Sequence, residues 1–116
     1  MKTNTKIAGT TFHPLPEGQY LKVNGTYSFD NVPCADTDAI LMAEPDNQHD
    51  PDAVKVMVPL DNGEAFHIGY LPKDSDLKVK VKLAGHPFKA TVMVKNYAMK
   101  NQQYSASWII TEVHGL

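Results

Sequence analysis

EPDNQHDPDAVKVMV, residues 44–58, and HIGYLPK, residues 67–73, are the stretches on which the fold turns. In the first, Val54, Val56 and Val58 alternate with Ala53, Lys55 and Met57, the period-two pattern of a strand with one buried face. Pro51 restricts Asp50 to extended backbone, and proline is tolerated where a strand begins. Asp61, Asn62 and Gly63 make the next turn, so residues 65–70 return as a strand paired with residues 54–58. Upstream, AILMA at residues 39–43 is too short for a helix between its flanks and reads as a further strand, ended by Pro45. The polar elbow at residues 44–52 is thereby joined to GYLPK through one β-meander.

Outward from this meander the chain keeps the same character. Residues 6–12 read as a first strand, in which Gly9 suggests close backbone approach. Residues 20–29 carry a hairpin signal, because Asn24-Gly25 supplies the two positive-φ residues of a type I′ turn. Residues 30–38 are polar, hold Pro33 and Cys34, and are expected to be loop. Residues 74–84 are ambiguous: Leu77, Val81 and Ala84 share a helical face behind Asp74 or Ser75 as cap, yet KVKVKL alternates as a strand does. The helical reading is preferred. Residues 88–94 and 104–113, rich in β-branched and aromatic residues, are the final strands, joined by residues 96–103, and Trp108 is expected in the core. The expected fold is mainly β with a minor helical part: a small barrel or curled sheet of about six strands with one or two short helices and an inserted hairpin.

Composition narrows the function classes. A chain of 116 residues fits one domain. A single cysteine, Cys34, excludes an intramolecular disulfide and a thiolate zinc site, which favours a cytoplasmic setting. No run of about 18 apolar residues occurs, and the N-terminus lacks the apolar stretch of a signal peptide, so neither membrane spanning nor export is expected. Net charge is −2, divided as −6 over residues 1–66 and +4 over residues 67–116. All eleven basic residues are lysine. Affinity for nucleic acid comes largely from neutralised phosphates, so a weakly acidic chain without arginine would hold nucleic acid only at a local site. Lys73, Lys78, Lys80, Lys82, Lys89, Lys95 and Lys100 are the candidates for it, although a lysine run is usually a solvated face.

Four chemistries compete for the elbow. Asp46, His49, Asp50 and Asp52 offer metal ligands, but their spacing matches neither an EF-hand loop nor HExxH. Pro51-Asp52 with Lys55 has part of a carboxylate-plus-lysine hydrolase pattern and lacks the second acid. Asp46 and Asn47 would alternatively serve only to bond backbone N–H groups of a tight turn. In the fourth reading the loop recognises a ligand: Asp50 accepts from a hydroxyl, His49 stacks on a planar group and Asn47 reads a second edge.

The run EPDNQHDPDAVKV, its spacing to GYLPK and the preceding Ala8-Gly9 resemble the HIRAN domain, which occurs alone in bacteria and phages and fused to SWI/SNF-type helicases. The resemblance spans most of the chain, 1–116, around an insertion at about residues 13–36. It implies an OB-like β-barrel that captures the 3′ end of single-stranded DNA in replication or repair, with a helicase or other repair protein as partner. By the motif, Asn47, His49 and Asp50 would face the terminal nucleotide, with Asp50 accepting from the free 3′-hydroxyl, and Tyr70 and Lys73 would line the same site. The first strand carries Lys6 and Ile7 where DNA-end binders have an aromatic residue, so Lys6 joins the candidates. His49 stands where tyrosine is commoner and keeps a planar ring for stacking. The implied role is binding without catalysis, metal or cofactor. A protein-interaction module with a structural loop, and a metal-dependent hydrolase acting on DNA, are the alternatives.

Overall fold

The computed structural model describes residues 1–97 and 106–116. These form seven strands, one α-helix and one 3-10 turn: β1 (Lys2–Lys6), the turn Thr10–Phe12, β2 (Gly25–Phe29), β3 (Val32–Ala43), β4 (Val54–Pro59), β5 (Ala65–Tyr70), α1 (Asp76–Ala84), β6 (Phe88–Lys95) and β7 (Ser107–Val113). All strands join one antiparallel sheet in the order β1-β7-β6-β3-β4-β5, with β2 also paired to β3. The mainly β fold read from the sequence is the fold found. Among the described residues no helix is long and apolar enough to cross a membrane.

The alternating valines behave as their spacing predicts. Val54, Val56 and Val58 are buried and join Leu41, Ile68, Val92, Val94, Trp108 and Ile110 in one core, closed on one side by Leu77 and Val81 of α1. The sheet ladder is open, but its two edges nearly meet. Beyond β1 the chain crosses to β5, where Ala8 and Tyr70 exchange backbone hydrogen bonds of 2.8 and 3.0 Å. Gly69 permits that crossing, since a Cβ there would lie 2.4 Å from the Ala8 carbonyl oxygen and 2.8 Å from Ile7 Cγ2. An ordinary side chain cannot occupy this position without displacing backbone.

Several local expectations are corrected. The first strand is Lys2–Lys6 rather than residues 6–12, because Gly9 turns with φ 75° and the chain continues into the 3-10 turn. The hairpin turns at Asp30-Asn31, with φ of 52° and 62°, and not at Asn24-Gly25. Asp and Asn adopt left-handed backbone more readily than other side-chain-bearing residues, so both dipeptides were competent and strand pairing chose between them. Residues 32–38, expected as loop, consequently lie in the twelve-residue β3, which pairs β6 from Cys34 to Leu41. The described residues hold seven strands, in keeping with the expected number of about six. Residues 76–84 are helical as preferred, with the Ser75 hydroxyl accepting from the Leu77 N–H at 3.3 Å. Residues 98–103 of the expected connection and Tyr104 at the start of the expected last strand lie outside the described residues.

Candidate functional site

The elbow is shaped by its own short polar side chains. Asn47 Oδ1 accepts from the backbone N–H groups of His49 and Asp50, at 2.9 and 3.0 Å, while Asn47 Nδ2 donates to Glu44 Oε1 at 2.7 Å. Asp50 Oδ1 accepts from the Asp52 N–H at 2.9 Å. These are Asx bonds of the kind expected in tight turns. They leave the His49 ring exposed at the apex.

Helix α1 holds the elbow from behind. Lys78 Nζ donates to Asp50 Oδ2 at 2.6 Å, and Lys82 is ion-paired with Asp52. Lys78 and Lys82 are four residues apart and so share a helix face, matching two acids on the turn that Ala53 closes with its N–H on the Asp50 carbonyl at 3.0 Å. Lys78 is 7% exposed, whereas Lys80 and Lys82 are exposed.

Five of the six expected side chains meet at one cavity of about 330 Å³: Asn47, His49, Asp50, Tyr70 and Lys73 line it, with Ala8 on the first-strand side. Lys6 does not line it; it is exposed on β1, paired with Ile109 and two residues from Ala8. Tyr70 donates its hydroxyl proton to Glu44 Oε1 at 3.0 Å. Burial, followed by the bond to Glu44 and that residue's charge, raises its pKa. Lys73 is exposed and, among the described residues, makes no ion pair. Among the described residues no three His, Cys, Asp or Glu side chains are grouped as metal ligands would be.

Beside Tyr70 lies a cluster of rings. His67 is 4.7 Å from Tyr70 and 4.4 Å from His13 between ring centroids, and its Nε2 is 2.9 Å from the Gly69 carbonyl oxygen. Burial, and then the charge of His13, lower the pKa of His67. Between that lowered value and the ordinary value near 6.5, the unfolded chain binds more protons at this site than the folded one, so stability rises with pH across the interval. Melting temperature should therefore fall on acidification from neutral pH. His67→Phe should flatten that fall by a few degrees, and superimposable profiles would refute a contribution from His67.

Three features escaped the sequence reading. Glu44 is the hub that joins Asn47 to Tyr70, with Lys55 3.9 Å from its second oxygen. Lys78 is one of the seven candidate lysines, but its pairing with Asp50 is not read there; its place three residues before Val81 of the apolar helix face is the available signal. Phe12 is 84% exposed on the turn between Ala8 and His13. A second, larger concavity of about 430 Å³ opens over Ile40 and Met57 on the other part of the sheet; of the candidate binding residues singled out in the sequence only the lysine Lys89 lines it.

A family model described as HIRAN domain matches residues 2–112. No curated protein and no solved structure matches the chain.

Proposed function

The chain belongs to the HIRAN domain family, and on that premise we propose that it recognises single-stranded DNA with a free 3′-hydroxyl end, in replication or repair. Family membership implies a nucleic-acid partner and a binding rather than a catalytic role. The observation that carries the finer reading is the convergence of Asn47, His49 and Asp50 from the elbow, and of Tyr70 and Lys73 from the end of β5 and the loop after it, on one cavity. Residues 1–116 are read as one unit with the part at about 13–36 inserted, and a helicase or other repair protein as the protein partner.

Each group has a chemical task in this reading. Asp50, whose side chain is 26% exposed, accepts from the terminal hydroxyl and disfavours a terminal phosphate by charge. A base stacks on the exposed His49 ring, an interaction of about 1–3 kcal/mol per base with little sequence preference. Asn47 shapes the loop and lines the cavity next to the base. Tyr70 forms a wall, and Lys73 meets the nearest phosphate. Lys6, outside the cavity, suits a phosphate further along the strand.

Salt dependence tests the reading. Anisotropy titrations of a labelled oligonucleotide should show saturable binding whose log affinity falls linearly with log salt, and Lys73→Ala should reduce the slope by about 0.7, the contribution of one single-strand phosphate. A protein-interaction module gives no saturable binding even at low salt. That outcome would reject the proposal.

A further inference from the structure

The group that aims the end site lies behind it. Lys78 reaches from α1 to the elbow, 28 residues away in sequence, with its side chain 9% exposed. Lysine is rarely buried this far without a partner, and its flexible stem ordinarily carries the ammonium out to water. Here the helix turns it inward beside Leu77 and Val81, and Nζ meets Asp50 Oδ2. With the Asp52 N–H on Oδ1, the carboxylate is held from both oxygens. Its orientation in the cavity is then set by α1 as well as by the loop.

We propose that Lys78 is the positioning residue of the site: it orients Asp50 towards the terminal hydroxyl, so that preference for a hydroxyl end depends on a side chain that does not line the cavity. This rests on the 3′-end reading above. Lys82 provides an internal control, because its pair with Asp52 also ties α1 to the elbow but leaves Asp50 alone.

The test is the ratio of affinities for two oligonucleotides identical except for a 3′-hydroxyl or 3′-phosphate end. Lys78→Met should reduce this ratio about tenfold, towards that of Asp50→Asn, consistent with loss of a charge-assisted bond. The double variant should have the same ratio as Asp50→Asn alone, as expected for residues acting through one another. Lys78→Arg should recover most of the ratio, Lys82→Met should leave it unchanged, and Lys73-dependent salt slopes should persist in all of them. Should Lys78→Met fail to fold, Lys78→Gln, which retains a donor without charge, carries the same expectation. A wild-type ratio in a folded Lys78 variant, or an equal loss in Lys82→Met, overturns the inference and leaves the function standing. A wild-type protein that binds single strands but ignores the end group overturns the 3′-end reading itself.

Discussion

Asp50→Ala is expected to weaken binding to strands ending in a 3′-hydroxyl by roughly 10- to 150-fold, the equivalent of about 1.5–3 kcal/mol for a charge-assisted hydrogen bond. Strands ending in a 3′-phosphate should bind the variant at least as well as they bind the wild type, because the substitution removes a carboxylate and leaves Lys73 and Lys78. Parallel titrations of the two oligonucleotides by anisotropy measure both effects. Equal affinities for the two ends in the wild type would eliminate Asp50 as the end reader. Asp50 also accepts from Lys78 and from the Asp52 N–H, so the alanine variant will be less stable. Removing one member of a substantially buried ion pair strands the other, here an ammonium under a helix. The titrations therefore belong at a temperature where circular dichroism shows the variant folded, with Asp50→Asn, which preserves an acceptor for the backbone, alongside.

The second large effect is on stability. In Gly69→Ala the new methyl would stand 2.4 Å from the Ala8 carbonyl oxygen and 2.8 Å from Ile7 Cγ2, and the nearer obstacle is backbone that cannot swing aside. Relief requires Ala8 to withdraw from Tyr70, breaking the two hydrogen bonds that join the edges of the sheet. Overpacking costs about 1–3 kcal/mol, and each lost bond adds roughly 0.5–1.5 kcal/mol. For a domain of this size the melting temperature should drop by about 10 °C or more. The variant should also lose binding out of proportion to its fraction unfolded, since Ala8 and Tyr70 both line the cavity. A melting temperature within about 2 °C of the wild type would show that the crossing relaxes freely, contrary to the packing argument.

These two substitutions fall on residues that the sequence marked in different degrees. Asp50 is conspicuous within EPDNQHDPD, whereas Gly69 opens GYLPK but carries no local sign of the backbone that approaches it. Alternation at Val54, Val56 and Val58, the turn at Asp61-Asn62-Gly63 and the cap at Ser75 are local properties, and they formed where local chemistry placed them. The first strand and the hairpin turn were misplaced for the complementary reason. Asn24-Gly25 and Asp30-Asn31 are both able to reverse a chain, and the choice depends on Cys34–Leu41 finding β6, about fifty residues later.

The same division runs through the site. Asn47, His49, Asp50, Tyr70 and Lys73 were legible as a set because the motif keeps them in two short segments at fixed spacing, and the meander returns those segments to one end of the sheet. Lys6 was grouped with them through the first strand, and the fold leaves it on β1, outside the cavity lining. Lys78 is legible only as one of seven candidate lysines, and nothing local marks it as the partner of Asp50, since a lysine on an alternating run of lysines and valines has the composition of a solvated face. Short-range patterning and turn chemistry were enough to determine a β-rich chain with a polar elbow. Only the tertiary structure decided that α1 would bury a lysine against Asp50 and that the edges of the sheet would meet over Gly69, because both depend on which distant surfaces exclude water from one another.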